Sequence, residues 1–348
     1  MNYLDFYQNA KRRLTNGLLS LWVAGKKDEQ NYLRYILEEK EPLFAEPVFQ
    51  SIFPWESSNY TFEEHASKLN VLDKDFVDAL SDRVKDSDYK FPKNRFPYTH
   101  QTKSWQQLLS NKSVIVTSGT GSGKTECFMI PVLQDLLRQK KLGNNQGVQA
   151  IFLYPLNALM DSQKKRVNAW CDALSPKLTY SIYNGDTPET LQSNIEDKHY
   201  PELCCRKTIR NSPPQILFTN PTMLEYMMVR ADDRPILQQS QGTLRWIILD
   251  ETHTYSGSSA AELALQLRRV LDAFGVTVDN VNFVATSATI GDNSSQLLEF
   301  VSQLTGKNKN DIEIVDGSRI IPELKEDILI EELSKIKQSL ILKLMLIK

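Results

Sequence analysis

The sequence predicts an α/β fold, in which helices cover both faces of a mostly parallel sheet. From about residue 112 onward, five short apolar runs alternate with stretches of helical periodicity, as buried strands alternate with covering helices. The runs are Val114–Val116, Ile151–Tyr154, Ile216–Phe218, Trp246–Leu249 and Phe283–Ala285. A polar motif follows each run, and ligands of open α/β sheets bind outside the carboxyl ends of the strands. We therefore expect one functional edge of the sheet.

Composition agrees with a folded domain protein. The chain has 348 residues, is 41% hydrophobic and 24% charged, and carries a net charge of −2, which excludes disordered and collagen-like chains. Nucleic acid would have to be bound by a local arrangement, because the overall charge does not attract it. No Cys-x-x-Cys pair and no secretory or membrane-spanning segment is present in the sequence. We expect isolated thiols and a cytoplasmic protein with no membrane partner.

Three regions are predicted along the chain. Residues 1–90 form a smaller helical accessory region, residues 91–316 the α/β domain, and residues 317–348 a charged-to-apolar tail. Asp73–Leu80 is predicted to be a short helix within the first region. In the α/β domain, Ser259 and Glu262 predict a capping box, and Gly275 marks the end of that helix. Its predicted apolar stripe consists of Leu263, Leu267, Val270, Leu271 and Phe274.

A phosphate-binding loop follows the first apolar run and precedes a predicted helix over Cys127–Lys140. Glycines let backbone N–H groups approach phosphates, and the start of a helix favours negative charge. Lys124 is expected to reach the β and γ phosphates, and Thr125 to ligate Mg²⁺. The strict motif has glycine where this chain has serine at the first loop position. The loop residues are Ser118, Gly119, Thr120, Gly121, Ser122 and Gly123.

Two carboxylates follow the run Trp246–Leu249. Asp250 occupies the position expected of a Mg²⁺-holding aspartate at the end of a buried strand. Glu251 is predicted to orient and activate the attacking water of a phosphoryl transfer. His253 either couples the nucleotide site to neighbouring segments or serves as a turn residue. Lys124, Glu251 and His253 are the candidate catalytic residues.

These motifs resemble motifs I, II and III of the superfamily 2 DExH-box helicases, with Ser287-Ala288-Thr289 as the third. The resemblance implies a first RecA-like domain that binds ATP and Mg²⁺, with Ser287 and Thr289 coupling nucleotide to nucleic acid. The segment Phe96–Gln101 resembles the adenine-recognising Q motif. Gln101 could then hydrogen-bond N6 and N7 of adenine, while either Phe96 or Tyr98 stacks on the ring.

Three further segments resemble nucleic-acid contacts of the same family. In that family such loops hold the phosphates of one strand through hydroxyl, amide and helix-start N–H groups, without reading sequence. Contacts of this kind require little net positive charge, which suits this chain. The candidate residues are Pro155 and Asn157, then Gly185 and Asp186, and then Thr219, Asn220 and Pro221.

The segments that flank these motifs indicate which branch of the family the chain resembles. Thr219–Leu237 and Asp250–Arg269 look most like the branch of MrfA- and YprA-like helicases and the large helicases of antiphage systems such as Druantia. That branch favours DNA over RNA, as a single strand or a duplex–single-strand junction. Thr252 departs from the usual apolar residue, and the cysteine-rich metal module of the family has no counterpart here.

The resemblance also implies a second RecA-like domain, which supplies arginines to the transferring phosphoryl group. Residues 291–348 contain no Gln-x-x-Gly-Arg-x-x-Arg pattern and end on the apolar run Leu340–Ile347. We therefore expect a second domain or subunit as a partner, and weak activity of this chain alone. Two alternatives stay open, a non-catalytic remnant or scaffold and a double-stranded DNA translocase of restriction or defence type. The intact Lys124 and Glu251 favour catalysis.

Overall fold

The computed structural model divides the chain into two compact units, Met1–Phe53 and Pro54–Lys348. The first unit contains helices α1 (Tyr3–Trp22) and α2 (Lys27–Tyr35), and α2 continues into a π-helical turn. The structure describes residues 3–23, 25–40, 53–119, 121–144, 146–191, 199–287 and 294–321. The predicted apolar run Leu340–Ile347 and most of the predicted tail lie outside these residues.

The second unit is built on a parallel sheet of seven described strands. Its order is β3-β4-β2-β5-β6-β1-β7, and every pairing within it is parallel. The central strands are fully buried, as expected when helices cover both faces of a sheet. The strands are β1 (Ser113–Thr117), β2 (Ala150–Leu153), β3 (Tyr180–Ile182), β4 (Ile216–Thr219), β5 (Trp246–Leu249), β6 (Asn282–Ser287) and β7 (Ile312–Asp316).

The α/β class and all five predicted strands are confirmed. A further strand, β7, lies at one edge of the sheet beside β1. Sequence reasoning missed β3 at the opposite edge, because three residues with a polar Ser181 at their centre give no apolar run. Register places Thr117 opposite Ser287 and Leu249 opposite Ala285, so the ends of β1, β6 and β5 lie side by side.

Helices follow most of the strands and pack on both faces of the sheet. Phe152, Phe218 and Ile248 belong to one hydrophobic cluster with residues of the helices Thr99–Leu109 and Lys124–Lys141. Leu153, Leu217 and Leu249 alternate with them and belong to a cluster with residues of the helices Pro221–Val229 and Ser258–Ala273. The helices of this unit are α3 (Phe62–Ser67), α4 (Lys74–Asp78), α5 (Thr99–Leu109), α6 (Lys124–Lys141), α7 (Asn157–Ala173), α8 (Arg206–Asn211), α9 (Pro221–Val229), α10 (Arg234–Gln239), α11 (Ser258–Ala273) and α12 (Ser294–Thr305).

The division between the units lies nearer the N-terminus than the predicted boundary at residue 90. Residues 54–90 belong to the same unit as the sheet. The physical reason is a shared core, because the fully buried Phe62, Phe76 and Phe91 lie in one cluster with Trp105 and with the β1 residue Val114. The short helix predicted over Asp73–Leu80 is α4, and it continues into a π-helical turn.

Helix α11 confirms the predicted stripe but not the predicted cap. The five stripe residues are buried, and Gly275 follows the helix at φ +62°. The capping box is wrong, because α11 begins at Ser258 and the residue before it is Gly257, with no side-chain cap. The Ser259 hydroxyl instead bonds to the backbone N–H and carbonyl of Ser256. None of the helices in the described ranges is long and apolar enough to span a membrane.

Candidate nucleotide site and neighbouring loops

The carboxyl edge of the sheet carries the predicted functional residues in two groups. We name the loops after β1, β5 and β6 the β1 side, and the loops after β2, β3 and β4 the β4 side. Strand order separates these groups, because β5, β6 and β1 are neighbours and so are β3, β4 and β2. Parallel strands bring all of these loops to the same edge of the sheet.

The predicted phosphate loop lies between β1 and α6. Gly121 and Gly123 have φ of +75° and +73°, a left-handed conformation that glycine adopts without steric cost. A Cβ on Gly123 would lie 2.3 Å from the Gln101 side-chain nitrogen, so this position also lacks room for a side chain. Helix α6 begins at Lys124, directly after the loop. Thr120 lies outside the described residues.

Two residues from the start of α5 hold the loop through its carbonyl groups. His100 Nε2 donates to the carbonyl of Ser122 at 2.8 Å, and Gln101 Nε2 donates to that of Gly123 at 3.1 Å. Gln101 Oε1 accepts from the backbone N–H of Tyr98 at 2.9 Å, and the side chain is fully buried. These two bonds use one of the two N–H donors and one of the two lone pairs of the Gln101 amide, so the adenine contact stays a prediction. Phe96 is half exposed.

A tryptophan that sequence reasoning missed lies against the same loop. Trp55 lies 3.7 Å from the position of a Cβ on Gly119, and a Cβ on Gly317 would lie 2.7 Å from the Trp55 ring. The Arg319 guanidinium lies over that ring at 3.9 Å, and His100 meets it edge-on at 5.5 Å. No sequence motif marks Trp55, since its neighbours come from distant parts of the chain.

Lys124 and the acid pair converge next to the loop. Lys124 Nζ lies 3.8 Å from Glu251 Oε1, and His253 Nδ1 lies 3.2 Å from Glu251 Oε2. Among the described residues, the buried Lys124 Nζ has no hydrogen-bond partner. Glu251 has a φ of +51°, a strained conformation for a residue other than glycine, and such strain is common at functional sites. The predicted catalytic residues Lys124, Glu251 and His253 are thus brought together.

Thr286 organises the two acids from the neighbouring strand. Its hydroxyl donates to Asp250 Oδ1 and accepts from the backbone N–H of Glu251 at 3.0 Å. Its carbonyl accepts from the Thr252 hydroxyl at 2.8 Å. Sequence reasoning named the next residue, Ser287, which is buried at the end of β6. The other predicted coupling residue, Thr289, lies outside the described residues.

The donor set of the β1 side fits a hydrated divalent cation beside phosphates. Burial raises the pKa of Asp250, and the nearby Glu251 raises it further, while Thr286 and Lys124 lower it. A bound cation would offset the cost of keeping this carboxylate charged. Mg²⁺ prefers carboxylate and hydroxyl oxygens, which Asp250 and Thr125 supply. Ser118 and Ser122 are buried and hydrogen-bond each other at 2.6 Å, so they support the loop from inside.

On the β4 side, the predicted contact residues bond mainly to the protein itself. The Asn220 side chain accepts from Met223 N at 2.7 Å as the N-cap of α9, and it donates to Asn157 Oδ1 at 2.9 Å. Thr219 is 1% exposed and donates to the carbonyl of Tyr183, so the predicted surface contact of its hydroxyl needs correction. Gly185 and Asp186 are exposed, and Pro155 and Pro221 are partly exposed.

The fold and this site define a RecA-like domain with a phosphate-binding loop, and comparison with known families supplies the identification. The family model described as DEAD/DEAH box helicase matches residues 98–297, more than half of the chain. The chain belongs to this family of superfamily 2 helicases.

Two curated relatives place the chain beside larger helicases. The Druantia protein DruE of Escherichia coli is 24% identical, over 64% of this chain and 18% of its own length. The uncharacterized ATP-dependent helicase YprA of Bacillus subtilis is 29% identical, over 60% of this chain and 24% of its own length. The chain therefore spans less than a quarter of either relative.

Solved structures support the same fold. The DUF1998 helicase MrfA bound to DNA superposes with a TM-score of 0.53 at 27% identity, over 76% of this chain and 29% of MrfA. A DEAD-box helicase bound to single-stranded RNA superposes with a TM-score of 0.56, but its identity of 19% supports the fold alone. The predicted resemblance to DExH helicases and to the MrfA and YprA branch is confirmed.

Proposed function

We propose that this chain is the ATP- and nucleic-acid-binding half of a DExH-box helicase or translocase. It would hydrolyse ATP to move on or unwind nucleic acid once a second RecA-like domain completes the cleft. The observation that carries the proposal is the Lys124 ammonium, which is buried without a hydrogen-bond partner among the described residues. Glu251 Oε1 lies 3.8 Å away, too far for a hydrogen bond, and a buried N–H donor without an acceptor costs free energy that a bound phosphate would offset.

The residues of the β1 side have complementary roles in this reaction. Backbone N–H groups of the loop and the Lys124 ammonium bind the phosphates, and His100 and Gln101 hold the loop in shape. Thr125 and Asp250 would hold Mg²⁺, which would neutralise charge at the phosphate oxygens. Glu251 orients the attacking water and accepts its proton, and His253 lies beside that carboxylate.

A second RecA-like domain is part of the proposal. Arginines supplied from outside the first domain raise phosphoryl-transfer rates by roughly 10³ to 10⁵ in related enzymes. Both curated relatives are more than four times as long as the part that this chain matches. We therefore propose slow turnover by this chain alone and faster turnover with a second domain.

For the nucleic acid, we propose DNA, bound along the β4 side as a single strand or at a junction. The similar helicase MrfA, whose solved structure is bound to DNA, supports this choice. Exposed Gly185 and Asp186 and the partly exposed Pro155 and Pro221 are the proposed contact points. The buried side chains beneath them hold the loops, so backbone groups would make many of the phosphate contacts.

The proposal is tested by titrating the chain with a fluorescent ATP analogue and Mg²⁺. Lys124→Ala should weaken binding by about 10- to 100-fold, because a hydrogen bond to a charged group contributes about 1.5–3 kcal/mol. Lys141→Ala, at the other end of the same helix, removes only a surface ion pair with Asp75 and should bind like the wild type. Equal affinities of both variants and the wild type would contradict nucleotide binding at this loop.

A second variant separates binding from hydrolysis. Glu251→Gln keeps the shape of the side chain and should retain nucleotide binding while abolishing turnover, which a released-phosphate assay measures. A scaffold would tolerate both Lys124→Ala and Glu251→Gln in a functional assay of the host system. Robust DNA-stimulated turnover by the 348-residue chain alone would contradict the requirement for a second domain.

A further inference from the structure

Three metal-ligating side chains of different chemistry meet in the segment that precedes α8. A ring nitrogen of His199, a carboxylate oxygen of Glu202 and the sulfur of Cys204 all lie within 4.8 Å of one another. His199 is exposed, Glu202 is buried and Cys204 is half-buried. Cysteine spacing alone gives no sign of this cluster, because its other two donors are not cysteines.

The sheet places these donors through backbone contacts. Glu202 N–H donates to the carbonyl of His199 at 2.9 Å, which closes a turn between the two. Leu203 N–H donates to the carbonyl of Tyr180 at 2.8 Å, and Tyr180 N–H donates to the carbonyl of Pro201 at 3.2 Å. The segment thus lies along the open side of the edge strand β3. Donors fixed by backbone need little ordering when a ligand binds.

The donor set selects a class of metal. Imidazole, thiolate and carboxylate together are the ligands of Zn²⁺ and related borderline-soft cations, whereas Mg²⁺ and Ca²⁺ prefer oxygen donors only. Zinc bonds of about 2.0–2.3 Å in a tetrahedron separate the ligand atoms by roughly 3.5 Å. Side-chain rotations that move the ligand atoms by roughly 1 Å would bring them from within 4.8 Å of one another to that spacing. Three protein ligands leave a fourth position open.

The charge of the surrounding cleft favours a cation. The three donors line a cleft of about 340 Å³ together with the carboxylates of Asp161 and Asp186. Lys164 also lines this cleft and lies 2.8 Å from Glu202 Oε1. A carboxylate has a second oxygen, so this ion pair leaves Glu202 able to bind a metal, and ligating carboxylates commonly have such partners. Carboxylates still outnumber the ammonium, so the cleft carries excess negative charge.

We propose that His199, Glu202 and Cys204 form a Zn²⁺ site that holds the segment before α8 beside the loop at Asp186. The exposed Asp186 lines the same cleft and belongs to the loop proposed to contact DNA. Without a cation, the carboxylates would repel the phosphates of a strand that approaches that loop. The metal site does not depend on nucleotide binding, so it stands or falls separately from the proposed function.

The site is tested by titrating the metal-stripped chain with Co²⁺ in a non-thiol reductant and then displacing Co²⁺ with Zn²⁺. We expect one equivalent of Co²⁺, a thiolate-to-cobalt charge-transfer band, and tetrahedral bands in the visible spectrum. Cys204→Ser should abolish the charge-transfer band and weaken Zn²⁺ binding by at least about tenfold, as measured against a chromophoric chelator.

The adjacent cysteine provides a matched control. Cys205 Sγ lies 3.3 Å from the Thr208 hydroxyl at the start of α8, so Cys205→Ser should keep the band and the affinity. His199→Ala changes an exposed side chain, so it tests the site even if Cys204→Ser fails to fold. Zn²⁺ binding by His199→Ala should also weaken by at least about tenfold. No band in the wild type, or an unchanged band and affinity in His199→Ala, would overturn the proposal.

Discussion

The two sides of the sheet edge differ in the hydrogen bonds that certain buried polar groups make. On the β1 side, Lys124 Nζ is buried with no hydrogen-bond partner among the described residues, and Glu251 has a strained backbone. On the β4 side, the buried hydroxyls of Thr187 and Thr219 bond to the protein itself. Thr187 Oγ1 donates to the carbonyl of Ile182 at 3.0 Å, and Thr219 Oγ1 donates to that of Tyr183 at 2.8 Å.

Arg206 is the centre of the network on the β4 side. Its guanidinium donates to the carbonyls of Thr187 at 2.9 Å and Asn184 at 2.8 Å, and to the Tyr183 hydroxyl at 3.2 Å. It also lies 4.9 Å over the Tyr183 ring. The β4 side is therefore expected to stabilise the fold. The β1 side is expected to contribute less stability, because Lys124 and Glu251 are held in positions suited to a ligand.

This comparison predicts that Arg206→Ala has the largest effect on the free energy of unfolding. The variant removes three hydrogen bonds from a charged donor and leaves two buried carbonyls without it. We expect the free energy of unfolding to fall by about 4 kcal/mol, measured by urea denaturation. Arg234→Ala, at an exposed position that begins α10, should change it by less than about 0.5 kcal/mol.

The same measurement on Lys124→Ala completes the comparison. This variant removes a buried ammonium with no hydrogen-bond partner, so its free energy of unfolding should stay within about 1 kcal/mol of the wild type although nucleotide binding is lost. If Lys124→Ala destabilised the chain as much as Arg206→Ala, the proposed difference between the two sides would be wrong.

The next largest effect is expected at Trp55, which packs against the phosphate loop. Trp55→Ala would leave a cavity beside Gly119 and Gly317 and free one side of the loop. We expect a loss of about 3 kcal/mol in the free energy of unfolding, together with weaker nucleotide binding. Trp55→Phe keeps an aromatic ring and should recover most of both quantities. Unchanged nucleotide affinity in Trp55→Ala would mean that the loop keeps its shape without this contact.

Sequence reasoning can locate those features whose residues are neighbours in the chain. The phosphate loop, the acid pair and the five central strands each form a continuous segment with its own pattern. Sequence patterns did not predict the roles of Trp55, Thr286 and Arg206, because their partners are distant in sequence. An isolated tryptophan, threonine or arginine forms no recognisable pattern. Gln101 was named from the sequence, but the sequence could not reveal that its amide also bonds to the carbonyl of Gly123 and to the N–H of Tyr98.

A smaller effect is predicted for Thr286→Val, a nearly isosteric change. It removes the hydroxyl that donates to Asp250 and accepts from Glu251 N–H. We expect a loss of about 2 kcal/mol in the free energy of unfolding, because the Glu251 N–H loses its acceptor. The pKa of Asp250 should rise further, so the Mg²⁺ dependence of nucleotide binding should shift to higher Mg²⁺ concentrations. Thr222→Val, at an exposed position in the first turn of α9, should change neither quantity by much.

The smallest predicted effect concerns the pH dependence of the loop. Burial lowers the pKa of His100 below its ordinary value of 6.5, although the Ser122 carbonyl and Glu126 oppose the shift. As pH falls below 6.5, the unfolded chain takes up this proton before the folded chain does, so stability decreases with falling pH. The slope that one such group contributes is at most about 1.4 kcal/mol per pH unit. Thermal unfolding between about pH 7 and pH 5 measures it.

His100→Gln provides the comparison that isolates this group. The glutamine amide can still donate to the Ser122 carbonyl from the position of Nε2, but it does not titrate in this range. The variant should therefore lose less stability than the wild type between about pH 6.5 and pH 5. His65, whose pKa burial also lowers, is present in both proteins, so its contribution cancels in the difference. Parallel curves of stability against pH for the two proteins would contradict the prediction, because they would show that protonation of His100 does not lower the stability of the folded chain.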